Sequence, residues 1–307
     1  MRIGITLGHD QADHAREARW IEEAGFDQVS AGEHLFFHGP TANSFVTLAA
    51  AAGATERIRL LSALTIVPVY PPAILAKLVS SLDQVSGGRF DFGVGVGGEY
   101  PKEFEAAGVD PKQRGARTEE ALEVLRPLLA GEELTHDGKF SHFPGVTLQP
   151  AAVQKPGPPI WMGGRKPAAM RRAGRFADVW LPYMYTPEQL DDSLTKVNEY
   201  AVEYGRPEGA LRGAVYCWAA LHPDAATARQ QVIDVVSTVY QQDFTPLADR
   251  YLLHGDPGRV IGRLREYHQA GARDLVFTAA EWDPAKRADM LSLLAKEVLP
   301  EVRRWDS

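Results

Sequence analysis

The sequence predicts a (β/α)8 TIM barrel, and three observations support this fold class. Short apolar runs rich in β-formers alternate with amphipathic stretches that begin at proline or a polar residue and end at glycine, which is typical of βα units. Eight such units follow one another, whereas an open doubly wound sheet gives no reason for eight units of similar size. The 307 residues accommodate a barrel of about 250 residues with insertions.

The eight predicted strands span residues 2–7, 27–31, 58–64, 90–96, 159–162, 178–181, 213–221 and 274–278. Helical patterns after them begin at proline, which suits the first turn because its N–H groups have no partner there; the prolines are Pro72, Pro167, Pro187, Pro257 and Pro284. Two insertions interrupt the rhythm. Residues 131–158, before strand five, are predicted to form an insertion that contains a hairpin. Residues 222–256, before the eighth unit, are predicted to form one helix followed by a loop.

No linker rich in proline, glycine and serine divides the sequence, so we expect one domain over residues 1–307. The 33 lysines and arginines against 40 aspartates and glutamates give a net charge of −7, which repels nucleic-acid phosphates and anionic membranes. The single cysteine, Cys217, excludes an internal disulfide and suits a reducing cytoplasm. The first eight residues are too short for a signal peptide, and no run of 18 apolar residues occurs. We therefore expect a cytoplasmic protein that binds neither nucleic acid nor membrane.

In such a barrel the catalytic groups lie at the carboxyl ends of the strands. Glu33 and His34 follow strand two, and a carboxylate beside a histidine can orient it for acid–base chemistry near neutral pH. The alternative is a histidine that only caps the next loop. His38 could share that pocket or lie exposed in the loop. Further polar positions at strand ends are His9, which is equally ambiguous, His222, Glu281 and Trp282.

The run from Gly93 to Gly98 matches G-x-G-x-x-G, a pattern of dinucleotide-binding sites. It belongs to the fourth unit rather than the first, and Pro101 interrupts the position where a phosphate-binding helix should begin. Small residues here could instead let the backbone pass close to a flat ligand ring, with Glu99 just beyond, or they could relieve crowding inside the barrel.

Gly163 and Gly164 precede Arg165 and a helix start, so backbone N–H groups and a guanidinium could converge on an anion. A tight turn with a solvated arginine explains the same residues. No set of histidines, cysteines and carboxylates has the spacing of metal ligands, so we predict no metal site.

Taken in order, these motifs resemble the luciferase-like monooxygenase family, barrel enzymes that use reduced FMN or the deazaflavin coenzyme F420. The resemblance is strongest up to about residue 205. It is carried by Glu33-His34, ATERIRL (54–60), SALT (62–65), PAILAK (72–77), LDQVSGGRF (82–90), GVGVG (93–97), RGAR (114–117) and PIWMGG (159–164).

The resemblance implies a flavin-type ring across the strand ends. A non-prolyl cis peptide, matched to the Ser62–Ala63 bond, would lie beneath the ring. Glu33 and His34 would face the ring, with His34 as proton donor or general base, and Glu99 would be a second acid. The cofactor would be held by Ser62, Ala63, Leu64, Thr65, Gly97, Gly98, Gly163, Gly164, Arg165, Pro182 and Tyr183.

The function implied is F420-dependent hydride transfer to or from a small organic substrate, because Glu33-His34 after strand two favours F420. His38 departs from hydride-transferring relatives that carry an aromatic residue there. One alternative is an FMNH2- and O2-dependent monooxygenase supplied by a separate flavin reductase, and others are a non-catalytic flavin-binding barrel and a nicotinamide dehydrogenase. The family also implies a homodimer that pairs through helices beside strands two and three.

Overall fold

The fold class is the predicted (β/α)8 barrel, in which parallel strands alternate with helices along the chain. The computed structural model describes residues 1–8 and 13–306. The chain divides into a terminal unit, Met1–Ser30 with Met162–Ser307, and a central unit, Ala31–Trp161. The single domain expected from the sequence stays a prediction.

Eight strands correspond to the eight predicted ones, with ends that differ by up to two residues. They are β1 (Arg2–Thr6), β2 (Gln28–Ala31), β3 (Arg59–Ser62), β4 (Phe90–Gly95), β5 (Ile160–Met162), β6 (Val179–Trp180), β7 (Arg212–Leu221) and β8 (Ala272–Ala279).

In the terminal unit, β7 is the longest strand and pairs in parallel with β6 and β8, and β1 pairs with both β8 and β2. Most side chains of these strands are buried, which explains their nearly continuous apolar sequence. The polar exceptions bond to one another: Thr6 Oγ1 lies 2.7 Å from Thr278 Oγ1 and 3.0 Å from Ser30 Oγ.

In the central unit, β3 pairs in parallel with β4, and a two-residue strand, Thr65–Ile66, continues beside β4. The prediction of one uninterrupted strand over residues 58–64 is therefore wrong at its carboxyl end, where the observed strand stops at Ser62. The non-prolyl cis peptide joins Ala63 to Leu64, so the expected position at Ser62–Ala63 is wrong by one bond. The Ala63 N–H still donates to the Ala31 carbonyl oxygen at 2.7 Å, so regular strand bonding continues through Ala63.

The helices begin at the predicted prolines or at polar caps. For example, Thr186 and Gln189 form a capping box around Pro187, the first residue of its helix. The helices are α1 (His14–Glu23), α2 (Ser44–Ala54), α3 (Pro72–Val85), α4 (Pro101–Ala106), α5 (Arg114–Ala130), α6 (Pro167–Phe176), α7 (Pro187–Glu203), α8 (Ala225–Tyr240), α9 (Ala248–Tyr251), α10 (Pro257–Gln269), α11 (Pro284–Leu293) and α12 (Leu299–Arg303). No helix within the described ranges 1–8 and 13–306 is long and apolar enough to cross a membrane.

Both predicted insertions are present. The first holds the expected hairpin, in which Glu133–Asp137 pairs with His142–Thr147. The second holds the expected helix α8, but the loop predicted after it is wrong in part, because it contains α9 and a strand, Leu253–Gly255, that pairs with β7. Three residues are too few to show the alternation that identifies a strand in a sequence.

Candidate active site

His34 of the central unit lies three residues beyond the end of β2, between two carboxylates and an aromatic ring. Its Nδ1 is 3.2 Å from Glu103 Oε2, and its Nε2 is 3.7 Å from Glu99 Oε2. The imidazole stacks on Phe37 with the ring centroids 4.2 Å apart. The His34 side chain is 18% exposed and that of Glu99 is 46% exposed, whereas Glu103 is fully buried. One ring nitrogen is thus held by a buried carboxylate while the other faces a carboxylate open to solvent.

Glu103 was missed by the sequence analysis. It lies in the first turn of α4, where its Oε2 also accepts the N–H of Leu35 at 3.2 Å. Its other oxygen, Oε1, is buried and has no hydrogen-bond partner among the described residues. A buried acceptor without a partner is costly, so this atom retains bonding capacity for a ligand. The spacing of four residues from Glu99 to Glu103 across Pro101 was the available signal.

Glu33, predicted to face the redox ring, is buried and bonded to two hydroxyl groups that the sequence analysis also missed. Ser44 Oγ donates to its Oε2 at 2.7 Å, and the Tyr70 hydroxyl donates to its Oε1. Burial raises the pKa of Glu33, although both hydroxyl bonds favour the charged form. Burial and the neighbouring Glu33 raise the pKa of Tyr70 as well. Glu33 is therefore a fixed anchor beside His34, and its catalytic role stays a prediction.

The glycines of β4 lie where this strand crowds two of the predicted cofactor residues, Ser62 and Leu64. A Cβ atom on Gly93 would collide with the carbonyl oxygen of Ser62, and one on Gly95 would lie 3.2 Å from Leu64 Cβ. The helix that follows, α4, has only six residues. The glycine motif therefore relieves crowding between strands, and its geometry does not match a dinucleotide site.

Thr65 supplies a second unsatisfied atom in the central unit. Its side chain is fully buried, and its Oγ1 has no hydrogen-bond partner in the part of the chain that the structure describes. Gly97 and Gly98 follow β4 with positive φ angles of 60° and 118°. Their turn carries the chain towards Glu99, which lies beside His34.

The terminal unit holds the remaining predicted cofactor residues. Gly163, Gly164 and Arg165 follow β5, and Pro182 and Tyr183 follow β6. The structure brings Arg165 and Tyr183 together, with the guanidinium carbon 4.8 Å from the centre of the ring. The Gly164 carbonyl oxygen accepts a 3.4 Å bond from the Tyr185 hydroxyl.

Further aromatic side chains surround Tyr183 and were missed by the sequence analysis. We call Tyr183, Tyr216, Trp218, Tyr240 and Phe244 the aromatic cluster. The ring of Tyr183 is 6.3 Å from that of Tyr216 and 6.5 Å from that of Tyr240. Tyr183, β7 and the end of α8 are far apart in sequence, so no local pattern could have indicated that these rings meet.

The other strand-end positions form no second set of this kind. His38 is exposed, as one alternative held, and its ring lies 5.0 Å from that of Phe37. His222 is exposed, and its Nδ1 accepts a hydrogen bond from the Asp224 N–H at 3.0 Å. Glu281 accepts a hydrogen bond from the side-chain amide of Gln231 at 2.8 Å. His9 lies outside the described residues. No group of three or more potential metal ligands occurs among residues 1–8 and 13–306.

Comparisons with known proteins bear on this geometry. A family model described as luciferase-like monooxygenase matches residues 2–274. An uncharacterised protein of Mycobacterium tuberculosis is 35% identical over 176 residues, which are 57% of this chain and 60% of that protein. The match thus spans less than two thirds of the mycobacterial relative.

Two further likenesses extend over nearly the whole chain. The F420-dependent glucose-6-phosphate dehydrogenase of Microbacterium testaceum is 29% identical over 314 residues and is matched across 92% of this chain and 91% of its own. The crystal structure of the monooxygenase RslO1 from Streptomyces bottropensis superposes with a TM-score of 0.87 at 26% identity, over 98% of this chain and all of the other. With nine tenths of its length matched by the family model, this chain belongs to the luciferase-like monooxygenase family.

Proposed function

We propose that this protein is an F420-dependent oxidoreductase that transfers a hydride to or from a small organic substrate. The observation that carries the proposal is the His34 site, in which the buried Glu103 binds Nδ1 and leaves Nε2 to exchange a proton. The dehydrogenase of Microbacterium testaceum, whose name states F420 dependence, supports it through similarity over 92% of this chain.

The residues present fit such a cofactor on two structural observations. The central unit retains a buried hydroxyl at Thr65 and a buried carboxylate oxygen at Glu103, both without a partner among the described residues, which suits the polar edge of a deazaflavin or flavin ring. The terminal unit offers the Arg165 guanidinium, which suits a phosphate group. Ser62 to Thr65, Gly97 and Gly98 would hold the ring, and Gly163, Gly164, Arg165, Pro182 and Tyr183 would hold the tail.

When bound, F420 supplies the hydride chemistry, and the chain supplies binding, orientation and a proton. His34 donates or accepts this proton at Nε2, because Nδ1 is occupied by Glu103. Glu99, 3.7 Å from Nε2 and half exposed, exchanges the proton with solvent. Phe37 covers one face of the imidazole and keeps it in this orientation.

A second candidate is an FMNH2- and O2-dependent monooxygenase supplied by a separate flavin reductase. The likeness to the monooxygenase RslO1, with a TM-score of 0.87 at 26% identity, favours it. The same residues would then hold FMN. A non-catalytic flavin-binding barrel is less consistent with a histidine held between two carboxylates.

Cofactor binding separates these candidates. The protein is titrated with F420, FMN and NADPH, and quenching of its six tryptophans is recorded. We expect F420 to bind at least tenfold more tightly than FMN, and reduced F420 to be oxidised without O2 consumption. Tighter FMN binding with O2 consumption would replace the proposal by the monooxygenase. Turnover that survives both His34→Ala and Glu99→Gln would favour a barrel that does not use these residues.

We also propose a cytoplasmic homodimer. The buried lone Cys217 suits a reducing compartment. The outer faces of α2 and α3 expose Val46, Ile74 and Val85, and Val46 is 71% exposed. Exposed apolar patches of this kind are typical of interfaces, and a second copy of the chain is the partner that the family implies. Val46→Glu should convert the dimer to a monomer in light scattering; a wild-type monomer would overturn this proposal.

A further inference from the structure

The aromatic cluster of the terminal unit has the architecture of a binding surface. Tyr216 and Trp218 lie on β7 two residues apart, so their side chains point to the same face of the strand. Cys217, between them, points to the other face, where Tyr267 and Arg263 of α10 adjoin its thiol. Tyr216 and Trp218 therefore project from the face of β7 that is turned away from the outer helix α10.

Helix α8 holds the cluster at the carboxyl ends of the strands. Its last residue, Tyr240, accepts the Trp218 indole N–H at its hydroxyl oxygen, 3.3 Å away. Earlier in the same helix, Gln231 donates to the Ala280 carbonyl oxygen at 3.0 Å, directly after β8. The second insertion thus lies across the ends of β7 and β8, the end at which barrel enzymes bind their substrates.

Some of the rings are partly exposed to solvent, unlike side chains in a closed hydrophobic core. Tyr183, Tyr216 and Tyr240 are half-buried, whereas Trp218 and Phe244, which both contact Tyr240, are buried. The rings of Tyr183 and Tyr240 are inclined by only 28°, so they present similarly oriented faces. Half-buried tyrosines with their rings aligned suit a flat aromatic ligand, which gains from stacking as well as from burial.

We propose that the aromatic cluster binds the substrate and that the substrate is a flat aromatic compound rather than a sugar phosphate. A phosphate ester would require several charge-assisted donors. Arg165, whose guanidinium lies on the Tyr183 ring, is assigned above to the tail of the cofactor. That the ligand is a substrate rests on the proposed function, but its binding can be measured without any cofactor.

The test is calorimetric titration of the cofactor-free protein with 2-naphthol and with glucose 6-phosphate. We expect 2-naphthol to bind at least tenfold more tightly. Tyr240→Leu, which removes the ring, should weaken 2-naphthol binding about tenfold, equal to about 1.4 kcal/mol. Tyr240→Phe, which keeps the ring, should stay within twofold of wild type. Tyr204→Leu makes the same change at a tyrosine that is 48% exposed outside the cluster, and it should have no effect.

Tighter binding of glucose 6-phosphate would overturn the proposal, as would equal 2-naphthol affinity in the Tyr240→Leu variant and wild type. If Tyr240→Leu lowers the melting temperature sharply, the Tyr216→Leu and Tyr216→Phe pair makes the same comparison at a cluster tyrosine that is not assigned to the cofactor. F420 quenching on the same proteins keeps the two proposals apart. Failure of F420 to bind while 2-naphthol binding still depends on the tyrosine rings would sink the proposed function alone.

Discussion

The His34 site of the central unit consists mainly of charged side chains, whereas the aromatic cluster of the terminal unit consists of uncharged rings. Three carboxylates surround His34: Glu33, Glu99 and Glu103. Glu33 and Glu103 are buried. The aromatic cluster has four phenyl or phenol rings and an indole, joined by ring contacts and one side-chain hydrogen bond.

The two regions are suited to different tasks. Buried carboxylates are costly unless they are bonded, so a fold keeps them where a proton or a charge must be placed accurately. Aromatic rings are buried at no such cost and offer area rather than charge. The His34 site is therefore suited to chemistry, and the aromatic cluster to recognition. Substitutions in either region test this difference.

The largest effect is expected for His34→Ala. Without the imidazole, no group between Glu99 and Glu103 remains to exchange the proton, so kcat should fall by about 10²- to 10⁴-fold. F420 affinity should change less than threefold, because binding depends on other residues. Steady-state oxidation of reduced F420 and tryptophan quenching measure the two effects separately.

His38→Ala is the matched control, since it removes an exposed histidine four residues away. It should leave kcat within about twofold of wild type. Equal losses in both variants would mean that the loop, and not the His34 imidazole, is required.

The next effect distinguishes the two carboxylates that flank His34. Glu103→Gln keeps an oxygen for the His34 and Leu35 contacts but removes the buried charge, and kcat should fall about 10- to 100-fold. Glu99→Gln alters a half-exposed group 3.7 Å from Nε2 and should lower kcat less than tenfold, because water can take its place. The reverse order would assign the larger role to Glu99, the residue that the sequence analysis named as a second acid.

The fold, and the position of His34 just after β2, could be predicted because their signals are local. Proline at helix starts and apolar runs in strands depend on neighbouring residues, and these signals located all eight strands. The contacts of Glu33 and His34 could not be predicted in this way, since Tyr70 and Glu103 lie 37 and 69 residues further along the chain. Such pairs depend on how the strand ends are placed, which periodicity does not encode.

The aromatic cluster shows the same limit in the other region. Trp218 and Tyr240 are separated by 22 residues and lie in different elements, and nothing in the insertion's sequence distinguishes Tyr240 from other aromatic residues on helices. The glycine motif shows that a local pattern can also suggest a site that the structure does not contain. Its pattern is that of a nucleotide site, yet Gly93 is required by the approach of Ser62, a contact between strands.

A smaller effect should sharpen the assignment of Arg165 to cofactor binding. Arg165→Ala should weaken F420 binding about tenfold, because an exposed guanidinium contributes about 1.4 kcal/mol to a phosphate contact. The loss should shrink at high salt, where the contact is screened. Lys166→Ala removes the adjacent exposed cation and should change the affinity less than twofold. If F420 binding is unchanged but 2-naphthol binding falls, Arg165 belongs with the aromatic cluster.

The smallest effect concerns stability and the buried Glu33. Its pKa is raised above the ordinary value of 4.5 by burial, so the folded protein retains this proton at a pH where the unfolded chain has lost it. The free energy of unfolding should therefore fall as the pH rises from 4.5 through the raised pKa, and then level off. In Glu33→Gln this titration is absent, so the variant should gain stability relative to wild type across that window. Urea unfolding at closely spaced pH values measures the free energy of unfolding of both proteins. If the two plots of this free energy against pH run parallel, the hydrogen bonds from Ser44 and Tyr70 offset the burial of Glu33 and its pKa is not raised.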